Sequence, residues 1–327
     1  MKNTYYKLSG IIFLLVATTY LLTACENEPA LAESQIDTST PILNELDLWL
    51  RQNFVNPYNI DVQYKWDIND TEVDRFLHPP FERNVKPLAE ILQSVWIEPY
   101  NTVGGDDFIK TIAPREFIFS GGFNFNPGGN TLTLGLAEQG ARIVLFNIDL
   151  LDFDTILYEE DTFGPSDDFG VQFSIIGPLS TIHHEYAHIL NQIEPYDPAF
   201  DIVNPTDYTS SWADRSNEEA RSLGYISAYA SSQPSEDFVE MVAYMLNRSR
   251  SQWDALVNSI GVFDQQYFED TGQYRYEEDN NGDVIINAEA ISSIRQKEQL
   301  IVEYYQEKFN INFYELQELT YQALLEI

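Results

Sequence analysis

The chain has 327 residues, of which 44% are hydrophobic, enough for one large core or for a domain with an appendage. Acidic residues number 52 against 18 basic ones, which gives a net charge of −34. A surface of that charge repels nucleic acid and anionic lipid headgroups, so neither is an expected partner. We interpret the acidity as a solvated surface that keeps an exported protein soluble; calcium binding and cationic substrates are the alternatives.

The first 25 residues have the pattern of an export signal. Lys2 and Lys7 precede an apolar run, and Leu22-Thr23-Ala24-Cys25 closes the segment. The run is too short and too early for a stable membrane-spanning helix. Its ending resembles the bacterial lipobox, in which the cysteine becomes the lipidated N-terminus, and Cys25 is the only cysteine in the chain. We therefore predict a lipoprotein signal peptide over 1–25; an ordinary signal peptide cleaved elsewhere is the alternative.

The residues after Cys25 predict a tether and a location. The small, polar segment 26–40 is typical of a flexible connection between an anchor and a domain. Its acidic start, Glu26-Asn27-Glu28, is similar to the segments that follow the cysteine in surface lipoproteins of Bacteroidetes-type bacteria. The resemblance implies an outer-membrane lipoprotein on the periplasmic or the cell-surface side, with the surface favoured.

Hydrophobic periodicity then predicts an α+β domain over 41–327. Helical spacing is found over 42–54, 85–97, 212–223, 235–247, 291–309 and 313–325, and alternation typical of strands over 60–66, 117–119, 131–136 and 142–147. Pro57 is expected to end the first helix, and Gly- and Pro-containing turns between the strands predict a small antiparallel meander. Gly177-Pro178 opens a further helix, against which this sheet is expected to pack.

That further helix carries a motif with metal chemistry. It contains His184-Glu185-Tyr186-Ala187-His188, which is His-Glu-x-x-His, and helix positions four apart share a face. Two imidazoles placed in this way can bind one zinc ion, and the glutamate can act as general base. His183 lies nearer the apolar side, so we expect a packed or hydrogen-bonded core histidine. His78, far upstream before two prolines, is expected at the surface.

A third zinc ligand must come from elsewhere in the chain. The metzincin pattern is excluded, because Asn191 and Glu194 stand where it needs glycine and histidine. Glu236 and Glu240 share the polar face of the 235–247 helix, so one could bind the metal and the other could hold a histidine ring. We favour Glu236 as the ligand and Glu240 as the supporting acceptor. Asn217-Glu218-Glu219, on another predicted helix, is the alternative source.

These motifs resemble the gluzincin arm of the zincin metallopeptidases. The segment from Gly224 to Met241 is closer to the substrate import-associated zinc metallohydrolases, a family of zinc-binding metallopeptidases among Bacteroidetes lipoproteins. It is also similar to the catalytic end of anthrax lethal factor, where a tyrosine stands seven residues before the ligand glutamate, as Tyr229 does here. The resemblance covers about 115–248 and implies a zincin-like fold with its catalytic core in that range. It also implies an oxyanion-binding role for Tyr229; packing is the alternative for that side chain. The helical spacing near the end of the chain predicts a helical section over about 285–327.

We therefore expect a zinc-dependent peptidase with one zinc ion per chain, a peptide or protein substrate and a possible outer-membrane nutrient-import complex as partner. His184, His188 and Glu236 are the expected ligands and Glu185 the expected general base. The strand 142–147 is expected at the sheet edge beside the cleft, where an extended peptide could bind. A non-catalytic surface lipoprotein that binds substrate for import, and a zinc hydrolase of non-peptide amides, are the alternatives.

Overall fold

The computed structural model describes residues 42–66, 77–125, 132–133, 135–138, 142–151, 153 and 176–327. Leu43–Ile327 forms one compact unit. Within the described ranges, no helix combines the length and the apolarity needed to cross a bilayer. The predicted signal peptide, Cys25 and the tether lie outside the described residues.

Two helical stretches at the start of the domain accommodate prolines through π-helical turns. Helix α1 (Glu45–Leu50) continues through the π-helical segment Arg51–Val55 into α2 (Asn56–Tyr58), so Pro57 does not end the helix as predicted. A π-helical turn is wider than an α-helical one, and it leaves out a hydrogen bond that proline, which lacks an N–H, could not make.

The same device recurs in the next helical stretch. Helix α3 (Glu82–Leu92) passes through the π-helical segment Gln93–Ile97 into α4 (Glu98–Gly104), which has Pro99 in its first turn. The short helix α5 (Phe108–Ile112) then leads to the sheet.

The main sheet is mixed, with two parallel pairings and one antiparallel pairing, so the predicted small antiparallel meander is wrong. The strands are β1 (Asp61–Gln63), β2 (Glu116–Phe119), β3 (Asn124–Phe125), β4 (Leu132–Thr133), β5 (Gly135–Glu138) and β6 (Arg142–Leu145). The main sheet has the order β1-β2-β6-β5, in which β1–β2 and β2–β6 are parallel and β5–β6 is antiparallel. Strands β3 and β4 form a separate antiparallel pair. Parallel pairing needs a long crossover, and α3, α4 and α5 supply it between β1 and β2.

Strand β6 therefore lies inside the described sheet, and the prediction that 142–147 forms its edge is wrong. Alternation along the central strands gives the sheet two apolar faces. Phe117, Phe119, Ile143 and Leu145 enter the main core, whereas Ile118 and Val144 pack with Trp66, Leu77 and Phe146 in a smaller cluster on the other face.

The rest of the described chain is mainly helical, which gives the predicted α+β class. The helices are α6 (Ile176–Ile193), α7 (Asn217–Ser222), α8 (Pro234–Leu246), α9 (Arg250–Asn258), α10 (Gln265–Thr271), α11 (Ala288–Phe309) and α12 (Phe313–Leu325). Helix α6 packs against α8 and against strands β5 and β6. The predicted helix 212–223 is instead a 3-10 turn, Trp212–Asp214, followed by α7, because the Ser216 side chain accepts a hydrogen bond from the N–H of Glu219 and starts a new helix.

Candidate metal centre

Helix α6 separates an apolar face from a face that carries the motif. Leu179, Ile182, Tyr186 and Leu190 are fully buried in the main core. The Tyr186 ring makes edge contacts with Trp96 at 5.1 Å and with Tyr100 at 4.9 Å between ring centroids. Ile193, predicted on the same face, is 50% exposed because it is the last residue of the helix. The apolar anchor fixes the direction in which the opposite face presents His184 and His188.

Helix α8 brings a carboxylate to both histidines. Oε2 of Glu236 lies 3.1 Å from Nε2 of His184 and 3.3 Å from Nε2 of His188. One possible ligand atom from each of His184, His188 and Glu236 lies within 4.8 Å of the other two. Within the described part of the chain, these three side chains form the group that could hold a metal ion. The structure thus brings together the two histidines and the glutamate predicted as ligands.

This arrangement fits a tetrahedral metal ion. Zinc–nitrogen and zinc–oxygen bonds of about 2.0–2.2 Å place two tetrahedral ligand atoms about 3.3 Å apart, close to the distances from Glu236 Oε2 to the two imidazole nitrogens. A neutral His184 that donates from Nδ1 to Glu240 has a lone pair on Nε2, opposite a carboxylate oxygen. Two acceptors 3.1 Å apart need a cation between them, either a proton or a metal ion.

The pKa shifts of His184 and Glu236 likewise indicate that the site favours a positive charge. Burial alone would lower the pKa of His184, but hydrogen bonds with Glu236 and Glu240 outweigh burial and raise it to about 10. Burial acts to raise the pKa of the Glu236 carboxyl, and the two imidazoles overcome that effect and hold it well below its usual range. The site therefore keeps a carboxylate and attracts a cation.

Glu240 supports His184 from behind and is itself held by a serine. Nδ1 of His184 lies 2.8 Å from Oε1 of Glu240, the contact expected for a ligand-orienting carboxylate. The hydroxyl of Ser227 donates to Oε2 of Glu240 at 2.6 Å and accepts a hydrogen bond from the N–H of Ala230 at 3.0 Å. A continuous chain of hydrogen bonds thus connects the His184 ring to the backbone of the turn that carries Tyr229.

Glu185 and Tyr229 complete the group. Glu185 is buried on α6, and its charge acts on both His184 and Tyr229. The Tyr229 ring stacks on that of His184 at 5.8 Å between centroids. Burial raises the pKa of the Tyr229 hydroxyl, and the carboxylates of Glu236, Glu240 and Glu185 raise it further, so this hydroxyl stays a hydrogen-bond donor.

The remaining histidines and the alternative ligands lie outside the group. His183 is fully buried, as predicted, and burial lowers its pKa to about 3; among the described residues, neither ring nitrogen has a hydrogen-bond partner. His78 is exposed, as predicted. In the segment 217–219, the alternative source of the third ligand, Asn217 accepts a hydrogen bond from the N–H of Ala228, and Glu219 forms an ion pair with Arg215.

Sequence reasoning missed three residues around the metal-binding group. Ser227 holds Glu240, Gln233 donates from Nε2 to Oε1 of Glu236 at 3.1 Å, and the partly buried Trp212 contacts the Tyr229 ring edge-on at 4.8 Å. A serine two residues before a tyrosine at the start of a 3-10 turn was the available signal for Ser227. No local pattern marks Trp212, which is adjacent only in space.

The fold and the group define an α+β protein with a buried His-His-Glu centre that could hold one metal ion. The chain belongs to the family described as putative zinc-binding metallo-peptidases, whose model matches residues 40–314. The predicted family membership is thereby confirmed.

A solved structure agrees with this assignment. The chain is similar to a putative zinc-binding metallo-peptidase from Bacteroides caccae, with 27% identity and a TM-score of 0.60, over 86% of this chain and 92% of that one. A comparison with curated proteins gives no significant match.

Proposed function

We propose that this protein is a zincin-like, zinc-dependent peptidase with one zinc ion held by His184, His188 and Glu236. The observation that carries the proposal is the shared carboxylate oxygen, Glu236 Oε2, within 3.1 Å and 3.3 Å of two imidazole nitrogens. When bound, zinc would act as a Lewis acid that activates water and polarises a carbonyl group.

The surrounding side chains supply the remaining chemistry. Glu185 accepts a proton from the attacking water and returns it to the leaving nitrogen as the C–N bond breaks. The protonated Tyr229 hydroxyl donates a hydrogen bond to the oxyanion of the tetrahedral intermediate. Glu240 accepts from His184 Nδ1 and so fixes the imidazole tautomer whose Nε2 lone pair faces the metal position.

Strand β5 is the proposed place for an extended peptide substrate. It is the outer strand of the described sheet, pairs on one side with β6, and lies beside α6. An unpaired strand edge offers backbone N–H and C=O groups to a peptide that adds as a further strand. This assignment replaces the edge predicted at 142–147.

The decisive variant is Glu185→Gln, which keeps the ligands and removes the base. We expect about one zinc per chain in both proteins by atomic absorption, and a loss of peptide-library hydrolysis of about 10²–10⁴-fold in the variant. Glu194→Gln, in an exposed acid just after α6, is the matched control and should hydrolyse at the wild-type rate.

Two results would contradict the proposal. Retained hydrolysis in Glu185→Gln excludes Glu185 as the base. An absence of zinc from the wild type, with no thermal shift on adding zinc, favours the non-catalytic substrate-binding lipoprotein instead.

We further propose that a lipid at Cys25 anchors the protein to the outer membrane, with the active site on the cell-surface side and a nutrient-import complex as partner. The lipobox-like Leu22-Thr23-Ala24-Cys25 and the acidic residues that follow support this location.

A further inference from the structure

A buried ion pair lies directly behind the proposed metal ligand. Asp237 follows Glu236 in the first turn of α8, and Lys297 is in the middle of α11. Their side chains are 0% exposed, and Nζ of Lys297 lies 2.6 Å from Oδ2 of Asp237. The pair therefore joins the helix that carries Glu236 to a helix near the C-terminus.

Both members of the pair make further polar contacts. Nζ of Lys297 donates to the carbonyl oxygen of Gly224 at 2.8 Å and lies 4.3 Å from the centroid of the Tyr225 ring. The hydroxyl of Tyr208 donates to Oδ2 of Asp237 at 2.9 Å. Gly224 begins the segment that leads to Ser227 and Tyr229. One ion pair thus connects the Glu236 turn, the Tyr229 segment and α11.

Stability alone does not account for such a pair. Two buried charges lose their hydration, and apolar residues of similar volume often replace a buried pair with no loss of stability. Apolar contacts are non-directional, whereas hydrogen bonds to a charged group restrict distance and angle. An apolar pair of similar volume would therefore not fix the orientation of the first turn of α8, and so would not fix the Glu236 carboxylate.

We infer that Asp237 and Lys297 are positioning residues for the metal centre: their ion pair fixes Glu236 relative to His184 and His188 and holds the segment that carries Tyr229. This inference rests on the proposed metal centre. It assigns a role to residues that belong to neither motif.

The test separates positioning from folding. In the double variant Asp237→Leu/Lys297→Met, apolar side chains of similar size replace both charges. We expect cooperative thermal unfolding with a melting temperature within a few degrees of the wild type. We also expect zinc affinity, measured by competition with a chelator, to fall about 10–100-fold, and the visible absorption bands of the Co²⁺-substituted protein to shift.

A second pair on the same helix is the matched control. Glu298, the residue after Lys297 on α11, is also buried, and its Oε1 lies 2.6 Å from Nη1 of Arg250. The partners of Glu298 are Arg250 on α9, Arg295 on α11 and Tyr314 on α12, and none of them is on α8, the helix that carries Glu236. Arg250→Met/Glu298→Leu should leave zinc affinity and the Co²⁺ spectrum unchanged, whatever its effect on the melting temperature. If the first double variant does not fold, Tyr208→Phe, which removes one hydrogen bond to Asp237, should shift both readouts in the same direction by less.

Each outcome has a distinct meaning. Wild-type zinc affinity and an unshifted Co²⁺ spectrum in the folded double variant would overturn the positioning role, as would an unchanged Tyr208→Phe variant if the double variant does not fold. A wild-type protein that binds no zinc would instead overturn the proposed metal centre.

Discussion

Glu240 connects the two helices of the candidate centre through one carboxylate. Its two oxygens have different partners: Oε1 faces Nδ1 of His184 and Oε2 accepts from Ser227. A carboxylate with both oxygens engaged has little rotational freedom, and so the imidazole beside it is also fixed. The sequence predicted Glu240 from its place on the helix face but not the serine that orients it.

Ser227→Ala should weaken zinc binding without unfolding the protein. The change removes the 2.6 Å hydrogen bond to Glu240 and leaves that carboxylate free to rotate away from His184. We expect zinc affinity to fall by up to about 10-fold in chelator competition.

The neighbouring Ser231 provides the control. It is also buried in this turn, but its hydroxyl donates to the carbonyl oxygen of Ala228. Ser231→Ala should therefore bind zinc as the wild type does. Equal zinc affinities in all three proteins would show that Ser227 does not orient Glu240.

At the scale of the element, α6 is the part of the fold that the sequence predicted best. Its apolar residues recur at helical spacing, so the buried face followed from periodicity, and the motif followed from the positions left over. The sheet was predicted less well. Alternation identifies a strand but not its neighbours, so the parallel pairing of β2 with β6 and the interior position of β6 were not readable. The split of 212–223 depended on a single cap at Ser216.

The burial of residues on α6 predicts that two similar substitutions lower the free energy of unfolding by different amounts. Leu190 is fully buried and Ile193 is 50% exposed. Leu190→Ala should lower the free energy of unfolding by about 2–5 kcal/mol, because it removes buried methyl groups and leaves a cavity. Ile193→Ala should lower it by less than about 1 kcal/mol.

Urea denaturation of the two variants measures this difference. Equal losses of stability would contradict the burial of Leu190 in the core and the exposure of Ile193 at the end of α6.

At the scale of the whole molecule, the net charge and the proposed lipid anchor bear on where the metal centre would work. A net charge of −34 disfavours anionic surfaces, so electrostatic attraction would not hold this protein at a membrane. A lipid on Cys25 would do so, because each buried methylene contributes about 0.8 kcal/mol and more than one chain gives stable anchoring.

Cys25→Ala should move the protein from the membrane fraction to the soluble fraction and abolish incorporation of labelled palmitate. Ser34→Ala, in the predicted tether, should change neither. A variant that stays with the membrane would contradict lipid anchoring at Cys25, and protease treatment of intact cells separates the cell-surface side from the periplasmic side.

The sequence by itself determined what depends on local spacing: the helix that presents His184 and His188, the glutamate between them, and the shared face of Glu236 and Glu240. These follow from the 3.6-residue repeat of one helix. Only the tertiary structure decided which carboxylate lies between both imidazoles, and that Gln233 holds Glu236 while Ser227 holds Glu240. It also decided that β5 rather than β6 is the outer strand of the described sheet, and that Lys297 pairs with Asp237. The Lys297–Asp237 contact joins residues 60 positions apart in the chain. It exists because helices pack in one arrangement, which the repeat of a single helix does not encode.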